Sequence, residues 1–146
     1  AQLRQEKNEE AIASFTALEA NQDTNDVSQQ LRLIATCLRA QALGAAGNPD
    51  EGIRLVTEII QREDSENRPL FAHAYNALGN CHLKAGNKKA AMMAFLHTET
   101  MYFMEPEPHA ESLFHLYHIW TDLKKTDRAN DARQKVKDRY RNTHWA

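Results

Sequence analysis

The stretch from Ala74 to Phe95 limits the possible folds more than any other part of the chain, because it spells two short apolar-faced helices joined by a tight turn. Tyr75, Leu78 and His82 recur at spacings of three and four, which places them on one face of a first helix. Gly79, on the same helix, has no side chain to hold a neighbouring helix away. Gly86 supplies a left-handed stop and Asn87 an N-cap, after which Ala91 and Phe95 stand one turn apart on a second helix. A single hairpin of this kind cannot bury its own apolar face, so it needs stacked neighbours.

The chain supplies neighbours on both sides. Leu116, Ile119, Trp120 and Leu123 repeat the spacing of Tyr75, Leu78, Gly79 and His82, with Asp127, Ala132 and Val136 standing for Gly86, Ala91 and Phe95. Upstream, Gly47-Asn48-Pro49-Asp50-Glu51 reads as the same turn, preceded by Leu31, Ile34, Leu38 and Leu43 and followed by Ile53, Val56 and Ile60. A further second-helix pattern opens the chain, with Ala11, Phe15 and Leu18 matching Ala91, Phe95 and Thr98. The expected architecture is all-α: a superhelix of three stacked hairpins over residues 26–62, 68–103 and 108–141, preceded by a leading helix over 1–20, all in one domain. With its first helix absent or reduced to Ala1 through Gln5, the chain reads as starting inside a repeat and as a piece of a longer protein.

Breaks between helices are well marked. Asn21 to Asp26 is a polar interruption, Asn48 followed by Pro49 and Glu51 reads as a capping box, and Glu63 to Arg68 precedes Pro69. Pro106 and Pro108 predict the sharpest interruption, with the next helix running from about His109 to Lys124. That helix is apolar around most of its circumference, which predicts contacts on several sides. In the alignment above Trp120 takes the place of Gly79, so ring packing there replaces close backbone approach.

At 146 residues a chain buries about 70% of its extended surface and requires no disulfide or metal. Cys37 and Cys81 share no framework spacing and read as buried thiols. No apolar run approaches the roughly 20 residues that span a bilayer. The net charge of −2 argues against nonspecific nucleic-acid binding. The basic C-terminal helix carries interleaved Asp127, Asp131 and Asp138 and reads as a solvated face.

Over residues 72–105 the chain resembles the tetratricopeptide repeat, on the strength of Tyr75, Leu78, Gly79, Ala91 and Phe95. Arg39 and Gly52 depart from that pattern in the first repeat, where Leu and Ala are usual. The ending Tyr140-Arg141-Asn142-Thr143 with Trp145-Ala146 resembles the variant of bacterial cell-envelope repeat proteins that closes on Tyr-Pro-Asn-Ser and Ala, with Arg141 in place of Pro. The resemblance implies a bacterial origin, protein-protein interaction and a periplasmic or envelope location, although no compartment is readable from the N-terminus. It further implies a partner-binding groove on the inner face of the first helices. That groove takes in Cys37 and Gln41, then His73, Asn76, Asn80, Leu83 and Lys84, then Tyr117, Thr121 and Lys124. Asn80 stands out, since a carboxamide both donates to and accepts from an extended peptide backbone. The Lys-and-Asn clamp for a terminal carboxylate is not reproduced across the repeats.

Glu111, His115 and His118 share one helical face at metal-permissive spacing. On so aromatic a helix, packed histidines are the plainer reading. No phosphate loop, nucleophile elbow or zinc-protease helix is present, so neither a catalytic residue nor a cofactor is assigned. Two functions follow as expectations. The first is a noncatalytic scaffold binding a protein, a peptide or another copy of itself. The alternative is an accessory module of an enzyme or of a metal-dependent activity.

Overall fold

The structure is a computed structural model and describes residues 2–20 and 22–146. Ala1 and Asn21, which fall in the expected leading helix and first polar break, lie outside the described residues. The elements are α1 (Gln2–Glu19), α2 (Asp26–Ala45), α3 (Pro49–Arg62), α4 (Arg68–Lys84), α5 (Lys88–Met101), α6 (Pro106–Asp122) and α7 (Thr126–Arg139). Among the described residues there is no strand. Pairs α2–α3, α4–α5 and α6–α7 pack as hairpins and stack in chain order, with α1 against α2. This is an all-α repeat solenoid.

Each hairpin is turned by the same hydrogen-bonded loop. Backbone N–H groups of Asn48, Asn87 and Lys125 donate to the carbonyls of Leu43, His82 and Trp120 at 2.9, 2.8 and 2.8 Å. The residue just before each donor is left-handed: Gly47 at φ 101°, Gly86 at 82° and Lys124 at 57°. Such six-to-one bonds close a helix by satisfying carbonyls that have no intrahelical partner. Gly86 therefore lies 39 residues after Gly47 and 38 before Lys124.

This spacing corrects the alignment of the last repeat by three residues. Without a glycine in the last turn, the sequence points to Asp127 as the stop, yet the chain stops at Lys124. Trp120 is thus the counterpart of His82, and Tyr117 that of Gly79. The repeats also run longer than the usual tetratricopeptide period of about 34 residues.

Helix starts differ from expectation in three further ways. Helix α6 begins at Pro106 rather than near His109, because both prolines sit in the first turn, where no N–H has an intrahelical acceptor. The capping box at Asn48 does not form: its side chain makes no cap bond, and Glu51 pairs with Arg54 at 2.6 Å. Asn87 also makes no side-chain cap, whereas Asn25 accepts from the Ser28 N–H at 2.8 Å.

Packing explains the unusual residues of the pattern. A Cβ on Gly79 would lie 2.7 Å from Cζ of Phe95, whose ring is fully buried against it. One repeat on, the small-large pairing is reversed, with the Arg133 guanidinium 5.7 Å from the Tyr117 ring centre. Gly52 is required because a Cβ there would meet the Ala40 carbonyl at 2.5 Å and Cys81 Sγ at 2.6 Å. Arg39 makes a bidentate pair with Glu19 at 2.6 and 3.0 Å, which ties α1 to α2. Trp120 belongs to the C-terminal core with Phe95, Leu113 and Leu116.

First helices approach one another, α2 along α4 and α4 against α6, while among the described residues α3, α5 and α7 make no close backbone approach to one another. The stack therefore curves with α2, α4 and α6 on its inner side.

Two outcomes follow. Gly79→Leu should lower stability by about 1–3 kcal/mol through overpacking on Phe95, and an unchanged melting temperature would contradict the contact. Lys124→Gly should raise stability by about 0.5–1 kcal/mol, the relief of a left-handed non-glycine residue less glycine's entropic cost. Denaturant titration measures both.

Candidate protein-binding groove

The inner side is built around a carboxylate. Glu111 of α6 is 8% exposed, and its two oxygens accept from three carboxamides on the two preceding first helices. Oε1 accepts from Gln41 Nε2 at 3.1 Å and Asn80 Nδ2 at 2.9 Å, and Oε2 accepts from Asn76 Nδ2 at 3.0 Å. Asn76 Nδ2 also donates to the Pro108 carbonyl at 2.7 Å, and Asn80 Nδ2 to the Asn76 carbonyl at 3.0 Å. Side chains from α2, α4 and α6 thus meet at one point. Burial pushes the Glu111 carboxyl above its usual range, and the three amide donors oppose that shift.

Beside this hub, His115 Nε2 lies 3.9 Å from Glu111 Oε1. Its ring stacks on Phe95 at 4.6 Å, and burial pushes its pKa down to about 4, leaving the imidazole neutral at pH 7. His118 is exposed, with its ring edge-on to Phe114 at 4.6 Å. Among the described residues no group of three His, Cys, Asp or Glu side chains is placed to hold a metal ion. The Glu111–His115–His118 face is instead occupied by amide bonding and ring packing.

The groove residues expected from sequence divide sharply. Gln41 and Asn80 are half-buried on the floor, and their side-chain oxygens accept no bond from the described residues. Both hydrogens of Asn80 Nδ2 are engaged internally, so Asn80 offers an acceptor alone, which corrects the expected donor-and-acceptor role. Asn76 is 1% exposed with both donors engaged, so it holds the floor together and does not face the groove. Cys37 is fully buried and its thiol is pushed up to about 12 by desolvation, which also removes it from the groove. The Cys81 thiol is likewise buried and raised to about 11.

His73 is half-buried and its pKa is lowered by burial, Leu83 packs on the C-terminal core, and Lys84 is exposed. In the last repeat the corrected register makes Phe114 and His118 the counterparts of Asn76 and Asn80. Tyr117 instead meets Arg133 on α7, Thr121 is exposed and bonds the Tyr117 carbonyl at 2.7 Å, and Lys124 belongs to the turn. Glu111 itself was read from sequence only as a metal-ligand candidate. The signal for its role lay in Gln41, Asn76 and Asn80, whose donors call for an acidic acceptor that α4 itself does not contain.

The buried histidine fixes the sign of an acid response. With a folded pKa near 4 against an ordinary 6.5, His115 contributes stability that is complete above pH 6.5 and is lost as pH falls toward 4. His115→Phe should remove up to about 3 kcal/mol of that loss. Glu111 acts with the opposite sign: its raised pKa favours the fold below the ordinary carboxylate range and that contribution fades as pH rises, so Glu111→Gln should flatten the rise-with-acid component. Urea midpoints from pH 4 to 8 check both, and a His115→Phe curve parallel to the parent's would refute the assignment.

Among known families, a model described as tetratricopeptide repeat matches residues 37–97, a span running from α2 to α5 that contains Gln41, Asn76 and Asn80. No curated protein and no solved structure matches the chain. The family match falls on the hairpins whose turns and Gly79–Phe95 contact generate the stack, and repeats of this kind mediate protein-protein interaction. On its helical architecture and this match, the chain is a tetratricopeptide-repeat-like protein.

Proposed function

We propose that the protein is a noncatalytic scaffold that holds an extended polypeptide of a partner along the inner side of α2, α4 and α6. The observation that carries this reading is the pair of outward carboxamide oxygens on Gln41 and Asn80. They stand at equivalent positions one repeat apart and are held rigidly from behind by Glu111. Fixed acceptors of this kind suit backbone N–H groups, whose pattern is independent of the peptide's sequence. His73, Lys84, His118 and Thr121 line the approaches and offer polar contacts for side chains. Pre-organisation matters here, because a floor already locked by internal hydrogen bonds loses little entropy when a ligand arrives.

The same reading takes the Tyr140-Arg141-Asn142-Thr143 segment as support for a bacterial envelope setting. An enzymatic or metal-dependent role finds no comparable support, since the one candidate face is taken up by the hub and by aromatic packing.

Photo-crosslinking tests the proposal directly. A photoreactive residue at Lys84 or His118 should capture a polypeptide in cells, whereas one at Lys89 on α5 should not. Equal capture from all three positions, or none from the groove, would refute groove binding.

A further inference from the structure

The hub in the groove floor carries a charge that the chain itself does not balance. Each side chain bonded to the Glu111 carboxylate is a donor: Gln41 Nε2, Asn80 Nδ2 and Asn76 Nδ2, at 3.1, 2.9 and 3.0 Å. A protonated carboxyl would need an acceptor for its own hydrogen, so this arrangement is built for the ionised form. Buried charges are ordinarily paired with opposite ones. Among the described residues no Lys or Arg pairs with Glu111. His115, 3.9 Å away, is held neutral by burial, and His144 acts on the carboxylate only through space. Lys84 is exposed at the approach and makes no ion pair with the carboxylate, so it does not supply the missing charge.

Stacking does not by itself call for this carboxylate. By the spacing of the turns, the counterparts of Glu111 are His73 in the second hairpin and Ile34 in the first. Helix α4 packs along α2 with no acidic residue of its own. The charge is therefore a local addition to the repeat, placed beneath the groove.

Its effect reaches the surface through the amides. Gln41 and Asn80 turn their N–H ends toward Glu111, so their oxygens, the negative ends of the two dipoles, point away from it. The buried charge aligns and polarises both groups. Two outward acceptors with a negative charge behind them suit a ligand that carries N–H donors and a positive charge together.

We propose that the partner polypeptide places a cationic side chain, arginine or lysine, over Gln41 and Asn80, bonded by their oxygens and balancing Glu111. This rests on the groove reading above and adds selectivity to it: backbone recognition ignores sequence, whereas the hub makes one position of the partner basic. A metal ion suits the place less well, since among the described residues no three His, Cys, Asp or Glu side chains converge.

The probes are N-acetyl-arginine amide, its neutral isostere N-acetyl-citrulline amide, and N-acetyl-glutamate amide. Each is titrated into the full chain while the side-chain amide signals of Gln41 and Asn80 are followed by NMR. Arginine amide should shift both signals saturably and bind at least about fivefold more tightly than citrulline amide, and the anionic probe should leave them in place. Glu111→Gln should bring arginine and citrulline close to parity, while Glu58→Gln on the outer helix α3 should keep the preference. The comparison in the parent chain needs no variant and so stands whatever Glu111→Gln does to stability. Equal affinities, shifts that spare Gln41 and Asn80, or a preference that survives Glu111→Gln would overturn the proposal. Polypeptide capture at Lys84 and His118 without any arginine preference would leave groove binding standing and overturn the cation site alone. Lack of capture at both positions would sink the groove reading itself.

Discussion

The six-to-one hydrogen bond that closes each first helix, from Asn48, Asn87 and Lys125 back to Leu43, His82 and Trp120, is the constraint on which the rest of the molecule depends. It fixes where each hairpin turns and so sets the rotational phase of α2, α4 and α6 relative to α3, α5 and α7. Because three turns share one geometry, residues 38 or 39 apart face the same way, and a row of side chains becomes an inner surface. A slip of one residue in a turn would rotate a helix by about 100° and move its floor residues into the core. Apolar burial supplies most of the driving force, but the turn decides which residues it acts on.

The hub at Glu111 is the electrostatic counterpart of that regularity. A carboxylate so buried is tolerated because three neutral amides solvate it in place of water, each bond to a charged acceptor contributing roughly 1.5–3 kcal/mol. The donors come from α2 and α4, so the cost of burying the charge on α6 is offset only when all three hairpins are stacked. Apolar contact alone would allow neighbouring pairs to slide along each other. A hydrogen-bonded carboxylate does not, since its acceptors are directional.

Much of this was legible in the residues themselves. The hairpin at Ala74–Phe95 could be read because glycine, asparagine and the apolar spacings all mark the same helices and turn, and Gly79 facing Phe95 follows from that spacing. The departures at Arg39 and Gly52 were visible but not interpretable, because their reasons, Glu19 and Cys81, lie on other helices. The last repeat was misplaced for a physical reason: Lys124 takes a left-handed conformation that a sequence reader assigns to glycine. That one residue carried the groove onto Tyr117 and Thr121 instead of Phe114 and His118. The floor was half legible. Amides at Gln41, Asn76 and Asn80 announce a polar seam, but which of their atoms face inward is settled only by the acceptor they share.

The two inner junctions are built differently. Helix α2 runs closely along α4, with Gly52 and Cys81 interlocked beneath, whereas α4 meets α6 over a shorter stretch held by Glu111 and its amides. Bending stiffness is consequently uneven along the solenoid. A load applied along its axis would therefore fall differently on the two junctions, on interlocked backbones at the first and on directional hydrogen bonds and ring packing at the second.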